Sequence, residues 1–287
     1  MSNDQAFNSA DSSNEPRKED IEALLDGIKA ALENNPDCSE GFVNEFGDFT
    51  LAIPLNGGQK TLDNFMEKQE LRQYLADISG AIASKISAEN DKGPTCCFTG
   101  HRPKRVPWLT DEEDPRTRKL KDTLRSLIDN LSLHGVSRYI AGNAEGFDTI
   151  AAETVLESNE YLETAKIWDG VPEEWLPAEL EIAIPFEGHN KGNQRIKDLQ
   201  DQAAIAHVVS HEKSRTQAFL ARDRYMVDCA DIVVAFVDNE DENVEKSGAF
   251  YTIDYATKQR KTIILFSPSW FGNDWPNTRG IAFLQPE

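Results

Sequence analysis

The sequence has few cysteines, and their spacing argues against a domain stabilised by disulfide bonds or by a bound metal ion. The 287 residues contain four of them, namely Cys38, Cys96, Cys97 and Cys229. No pair has the C-x-x-C form, and none has a histidine partner nearby, so neither a disulfide framework nor a metal site such as a zinc centre is indicated. We interpret the thiols as small buried apolar side chains in a reducing compartment.

Long apolar runs are also lacking. No stretch approaches the roughly 20 apolar residues that a membrane-spanning helix needs. The first residues, Met-Ser-Asn-Asp-Gln, have neither the basic start nor the apolar middle of a secretory signal. We therefore expect a cytoplasmic protein without a membrane partner.

Positive charge is scarce. The chain has 30 Lys and Arg against 50 Asp and Glu, which gives a formal net charge of -20. Such a balance repels phosphate backbones at long range, so a nucleic acid is not the expected partner. Any anion-binding site has to be local and built from a few residues.

Several familiar motifs are missing as well. The sequence contains no G-x-S-x-G elbow, no H-E-x-x-H helix and no G-x-G-x-x-G dinucleotide turn. The segment Asn56-Gly57-Gly58-Gln59-Lys60-Thr61 is only superficially similar to a phosphate loop, because the first glycine is missing and Gln59 replaces the second. We interpret it as a turn.

Composition divides the chain into four parts. Residues 1–18 are rich in Ser, Asn, Asp and Glu, which predicts a disordered tail. Residues 19–92 are predicted to form a small, mostly helical N-terminal appendage, with helical spacing over 19–34 and 62–86 and a short strand or hairpin between Phe42 and Ile53. Residues 93–270 form the predicted main domain, and 271–287 a C-terminal extension.

The main domain alternates short apolar runs with amphipathic stretches, which predicts an α/β protein with a Rossmann-like, doubly wound, mainly parallel sheet. The predicted strands are 95–99, 138–141, 181–186, 206–210, 231–237 and 262–266. The predicted helices are 116–134, 148–158, 193–205, 216–229 and 248–260. The connection from 158 to 180 is long for a crossover and predicts a surface insertion or lid.

The most informative stretch is the end of the first of these strands. An apolar run over Cys96-Cys97-Phe98 breaks into Gly100-His101-Arg102-Pro103. Gly100 permits close approach of a ligand, and Arg102 can donate two hydrogen bonds to a phosphate. The alternative is a simple strand-to-loop turn with a solvated arginine.

The segment after the second strand carries two glycines, Gly142 and Gly146, around Asn143. Asp148 stands where it could cap the next helix, whose N-terminal amides could then hold a phosphate. Glu145 could accept hydrogen bonds from ribose hydroxyls. Alternatively, the glycines make a tight turn, Asp148 only caps the helix, and Glu145 is a solvated loop acid.

Two further segments could contribute. Arg224 and Asp228 are four residues apart on a predicted helix and can pair, which leaves Arg222 on a different face, either free for a ligand or in an ordinary surface salt bridge. Ser247 is a candidate N-cap for the last long helix, and Gly248 permits close approach there, so this helix end could bind an anion. Alternatively, Ser247 only caps the helix.

In this order, the motifs resemble the SLOG superfamily of Rossmann-like proteins, specifically its YspA/YpsA-like branch, and more distantly the lysine-decarboxylase-like (LOG) and DprA-type folds. The resemblance covers roughly residues 94–268. It rests on Thr99-Gly100-His101-Arg102-Pro103, Gly142-x-x-x-Gly146-Phe147-Asp148-x-x-Ala151-Ala152-Glu153, Ile184-Pro185-Phe186-Glu187-Gly188, Arg222-x-Arg224-Tyr225-Met226-Val227-Asp228, and Ser247-Gly248 with Tyr251-Thr252-x-x-Tyr255-Ala256.

The resemblance implies a pocket at the strand ends for a nucleotide, or for a nucleotide-derived or NAD-derived small molecule, and no other cofactor. Some relatives hydrolyse the glycosidic bond of nucleoside monophosphates, and others are thought to sense such signals in stress and antiviral (phage) conflict. The implied ligand-binding residues are Gly100, His101, Arg102, Gly142, Asn143, Gly146, Arg222, Arg224, Ser247, Gly248 and Thr252.

The chain departs from the branch pattern in the expected phosphate cradle. Ser247-Gly248-Ala249 stands where Gly-Gly-Thr is usual, Asp223 stands where Asn is usual, and the P-G-G-x-G-T-x-x-E string of the hydrolases is missing. If the protein is an enzyme, Glu145, Asp148 and Asp254 are the candidate catalytic carboxylates.

Three functions therefore remain open: a nucleotide-binding sensor or signalling component, a nucleotide N-glycosidic or phosphoribosyl hydrolase, and an acidic module that contacts a protein partner, or a second copy of the chain, through the appendage.

Overall fold

The computed structural model describes residues 42–46, 49–53, 93–166, 171–173, 175–237, 247–271 and 282–286. The tail predicted for 1–18 and the helices predicted for 19–34 and 62–86 lie outside these residues.

Nine strands and five helices follow one another along the described chain. The strands are β1 (Phe42–Phe46), β2 (Phe49–Ile53), β3 (Thr95–Gly100), β4 (Arg138–Ala141), β5 (Glu179–Ile184), β6 (Ile205–Val208), β7 (Ile232–Phe236), β8 (Thr262–Phe266) and β9 (Ala282–Pro286). The helices are α1 (Pro115–Leu133), α2 (Phe147–Ala165), α3 (Gln194–Gln202), α4 (Arg215–Cys229) and α5 (Gly248–Lys258).

Six of these strands form a parallel sheet in the order β8-β7-β3-β4-β5-β6. The chain runs outward from β3 to β6, returns through α4 to β7 on the other side of β3, and then continues to β8. The strand order thus reverses between β3 and β7, where ligands bind in open α/β sheets. The predicted Rossmann-like α/β fold is confirmed.

Helices cover both faces of this sheet, because adjacent residues of a strand point to opposite faces. Phe98 belongs to a buried cluster with side chains of α1, α2 and α3. Its neighbour Cys97 belongs to a second buried cluster with α4 and α5. Cys96 and Cys97 are both fully buried, as expected for structural thiols, and burial raises the pKa of each.

Three antiparallel strands extend the sheet beyond β8. β9 pairs with β8, β2 pairs with β9, and β1 closes a hairpin with β2. The hairpin interpretation of the segment between Phe42 and Ile53 is therefore confirmed. Residues from the predicted N-terminal and C-terminal parts share one sheet with the main domain.

The lid interpretation of the connection from 158 to 180 is wrong. Seven of its residues, 159–165, continue α2, because Leu162 is buried and extends the apolar side of the helix. A helix that follows a parallel strand runs back across the sheet, and β5 begins at Glu179 on the edge opposite to the strand ends where ligands bind. No described helix is long and apolar enough to cross a membrane.

Candidate functional site

The turns that follow β3 and β4 touch one another at the carboxyl edge of the sheet. The Phe147 N–H donates to the carbonyl oxygen of His101 at 3.3 Å. A side chain on Gly146 would lie 2.8 Å from that same oxygen. Gly146 also has a φ of +93°, which strongly favours glycine. The turns after β3 and β4, both selected from the sequence, are therefore in direct contact.

A cavity of about 480 Å³ opens beside these turns. Its walls come from the end of β3 and the turn after it, the loop after β4, one side of α4 and the start of α5. It lies at the reversal between β3 and β7, and its volume is within the range of about 300–1,000 Å³ typical of small-molecule sites. The predicted residues that line it are Gly100, His101, Arg102, Asp148, Arg222, Ser247 and Gly248.

Two of the predicted glycines are required by packing. A side chain on Gly100 would clash with the Phe147 ring at 2.5 Å. A side chain on Gly142 would lie 1.8 Å from Nη1 of Arg222. Gly142 thus makes room for the arginine, whose Nη1 also donates to the carbonyl oxygen of Gly142.

Gly248 differs, because the nearest atom to an added side chain would be Oδ2 of Asp223 at 3.8 Å. No close packing requires a glycine there. Since Gly248 lines the cavity, its small size leaves room for an occupant.

The inner part of the cavity contains Arg222 between two carboxylates. Nη1 of Arg222 lies 3.4 Å from Oδ2 of Asp148, and Nε lies 2.8 Å from Oδ1 of Asp223. The Nε–H is not aligned with that oxygen, so the second contact is an ion pair without a linear hydrogen bond. All three side chains are more than nine-tenths buried. Arg222 is therefore neither free nor part of a surface salt bridge.

Burial sets the ionisation of these carboxyls. It raises the pKa of Asp148 to about 6, although Arg222 and Arg102 act in the opposite direction. It also raises the pKa of Asp223, against the same two arginines. The cavity therefore holds two acids whose charge is costly and which would gain from additional hydrogen-bond donors.

His101 is buried at the end of β3. Burial, and secondarily the nearby Arg105, lower the pKa of His101 to about 4, so the ring is neutral at pH 7. Its N–H in the main chain donates to the carbonyl oxygen of Phe236 at 3.0 Å, which ties the turn to β7. His101 can offer a ligand hydrogen bonding but no charge.

The two predicted helix caps have different outcomes. Ser247 is the N-cap of α5, and its Oγ accepts from the Phe250 N–H at 3.0 Å, as expected. The cap interpretation of Asp148 is wrong, because Gly146 is the N-cap of α2 and Asp148 lies in the first turn. The Asp148 carboxylate instead faces Arg222.

Seven predicted residues lie outside the cavity lining: Gly142 and Gly146, described above, and Asn143, Glu145, Thr252, Arg224 and Asp254. Asn143, with a φ of 58°, accepts from Gln200 at 2.7 Å, and its carbonyl oxygen accepts from Asn190 in the loop after β5 at 2.8 Å. Glu145 is exposed and accepts from Asn193 at 2.9 Å. Thr252 lies on the buried side of α5, where its hydroxyl donates to the Gly248 carbonyl at 2.9 Å.

Arg224 also lies outside the lining, on the exposed side of α4. The expected partner, Asp228, accepts a hydrogen bond from the hydroxyl of Tyr255 at 2.8 Å.

The sequence analysis missed several lining residues. Phe219 precedes Arg222 by three positions on α4, and the Arg102 guanidinium lies 4.9 Å from the centre of its ring. Lys104 and Arg105 directly follow the turn and also line the cavity. The signals were present: helical spacing from Arg222 finds Phe219, and three cations in four residues mark the turn.

The lining is locally cationic within a strongly acidic chain. It contains the four cations Arg102, Lys104, Arg105 and Arg222, and the two acids Asp148 and Asp223. Among the residues that the structure describes, no group of three or more His, Cys, Asp or Glu side chains is placed to hold a metal ion.

The fold and this cavity define a Rossmann-like α/β protein with a cavity at the reversal of strand order. The model of the YspA SLOG family matches residues 96–270. The chain therefore belongs to the YspA SLOG family. A comparison with curated proteins found no match.

Proposed function

We propose that the protein binds a nucleotide or nucleotide-derived small molecule in the cavity between β3 and β7, as a sensor or signalling component. The observation that carries the proposal is the local reversal of charge: four cations and two acids line the cavity of a chain whose formal net charge is -20. Long-range repulsion would keep extended polyanions away, while a small anion can reach the arginines.

The cavity also suits the non-ionic part of such a ligand. Phe219 and Tyr251 offer aromatic surface, and Gly248 leaves space that packing does not require. Ligand sites combine apolar walls with a few directed polar groups. A nucleotide, including one derived from NAD, supplies a planar base for the aromatic surface, hydroxyls for the polar groups and an anionic group for the cations.

Arg102 is the residue with which to test the proposal. It is exposed, contacts the Phe219 ring and lines the cavity, so Arg102→Ala should leave stability nearly unchanged. Loss of its charged hydrogen bonds should weaken nucleotide binding by at least about tenfold. Mass spectrometry of the denatured protein can identify a retained ligand, and titration calorimetry can measure the affinity of a nucleotide panel.

The matched control is Arg224→Ala, which removes an exposed arginine from α4 outside the cavity. The nucleotide affinity of the Arg224→Ala variant should equal that of the wild type. Equal affinity of the Arg102→Ala variant, or no binding of any nucleotide by the wild type, would contradict the proposal.

A second candidate function is hydrolysis of a nucleotide N-glycosidic bond, and the position of Asp148 favours it. A buried carboxyl with a pKa raised to about 6 at the cavity wall can hold or release a proton near neutral pH. In this hypothesis the wild type releases free base from a nucleotide, and Asp148→Asn prevents the release. Glu145, which lies outside the lining, would be the control as Glu145→Gln.

A further inference from the structure

The charges of the cavity are divided between its inner and outer parts. The inner part holds Arg222 with Asp148 and Asp223, all more than nine-tenths buried. One arginine faces two carboxylates, so with both ionised the formal charge of this group is negative. The other three cations of the lining, Arg102, Lys104 and Arg105, are exposed or half-exposed and therefore lie toward solvent.

The Asp223 carboxylate lies beside Gly248, the first residue of α5. Its Oδ2 lies 3.8 Å from the position of an added Gly248 side chain. A carboxylate at a helix N-terminus complements the positive end of the helix dipole. A second anion placed there would meet the Asp223 charge in a buried environment, where repulsion is strong.

The two carboxylates retain capacity to accept hydrogen bonds. Asp148 accepts from Arg222 and from the Ala144 N–H, and Asp223 is paired with Arg222. A carboxylate can accept about four hydrogen bonds. Hydroxyl donors from a ligand would use the remaining positions, and they would stabilise the ionised acids that burial disfavours.

We infer that the ligand lies with its hydroxyl-bearing sugar at Asp148 and Asp223 and its anionic group at Arg102 and Lys104, so that the site selects nucleotides with a free ribose diol. The inference rests on the proposed function, and it reverses the orientation in which the start of α5 would cradle the phosphate. The occupant is a ribonucleotide, and its 2′- and 3′-hydroxyls are recognised as donors.

The test compares ribonucleoside 5′-monophosphates with their 2′,3′-dideoxy counterparts by titration calorimetry on the full chain. For the best-bound base, we expect the wild type to prefer the ribonucleotide by at least about tenfold, because two hydroxyls donate to charged acceptors. Asp223→Asn keeps the shape of the side chain but removes its charge, so this preference should fall by several-fold. Asp228→Asn, an exposed substitution on the same helix, is the control and should retain the preference for the ribonucleotide.

The other outcomes overturn the inference in distinguishable ways. Equal affinity of the wild type for ribonucleotides and dideoxynucleotides overturns the inference and leaves the proposed function standing. Tighter nucleotide binding by Asp223→Asn with an unchanged ribose preference places the phosphate at α5 and also overturns it. If no nucleotide binds to the wild type, the proposed function fails and the inference fails with it. Asp148→Asn serves as a second variant if Asp223→Asn does not fold.

Discussion

At the scale of single residues, the site depends on groups held in unfavourable surroundings. Asp148 and Arg222 are buried together, and Gly142 is small because the Arg222 guanidinium fills the place of its side chain. Buried ion pairs contribute less to stability than their geometry suggests, because both groups lose their hydration. In the proposed function, a bound ligand would supply the hydrogen-bond donors that the buried Asp148 and Asp223 carboxylates lack.

Asp148 should make stability depend on pH in a predictable direction. Its pKa rises from 3.8 to about 6 on folding, so its ionisation disfavours the folded state. The penalty is absent below pH 3.8, grows as the pH rises to about 6, and is complete above it. Relative to Asp148→Asn, the wild type should lose about 2 to 3 kcal/mol of unfolding free energy over that interval.

Denaturant unfolding of both proteins at a series of pH values measures this loss. The difference between the two proteins isolates Asp148, because His101 titrates in both of them. A stability difference that stays constant from pH 4 to pH 7 would show that the Asp148 carboxyl is not shifted.

At the scale of elements, the turn between β4 and α2 is the part that joins the two loops. Gly146 has a φ of +93°, and a side chain added there would lie 2.8 Å from the His101 carbonyl oxygen. Helix α4 then presents Phe219, Arg222, Asp223 and Met226 to the cavity at spacings of three and four residues. One helix side and one turn thus fix the inner part of the site.

Gly146→Ala should therefore disturb both turns. The strained φ and the contact with the His101 oxygen together should lower the unfolding free energy by about 2 to 4 kcal/mol. Gly192→Ala is the matched control, because nothing lies within 4 Å of its added side chain and its φ is ordinary. Thermal or denaturant unfolding compares the two, and similar stabilities of both variants would disprove the role assigned to the turn.

Elements were also the level at which sequence patterns predicted most. Five of the six parallel strands begin within one residue of their predicted positions, because buried strands of such sheets are nearly continuous apolar runs. The end of α2 was missed, since residues 159–165 are mostly polar and only Leu162 marks the buried side. Apolar periodicity predicts the end of a helix poorly where only one buried side chain marks its last turns.

At the scale of the whole molecule, the parallel sheet contains the site and the other strands extend its far edge. All described residues that line the cavity lie between Phe98 and Tyr251. The hairpin of β1 and β2 joins the sheet through β9, beyond β8.

Deletion of residues 1–90 should therefore leave nucleotide affinity unchanged. The truncated protein loses the strand that pairs with β9 but keeps all six parallel strands. Circular dichroism establishes that it folds, and titration calorimetry measures its affinity. A folded truncated protein that no longer binds a nucleotide would show that the N-terminal part contributes to the site. Loss of a protein partner with intact nucleotide binding would favour the hypothesis of an acidic interaction module.

The sequence by itself determined the class of fold, the turns that form the site and its local positive charge. Strand and helix periodicity, glycine placement and the arginine after β3 are local properties, and local patterns report them directly. Only the tertiary structure decided which side chains face the cavity. Asn143, Glu145 and Arg224 stand in the right segments but outside the lining, whereas Phe219 and Lys104 belong to it. The side chains that face the cavity are decided by how separate elements pack together. Arg222 and Asp148 are 74 positions apart in the chain and meet only because their helices pack against the same sheet.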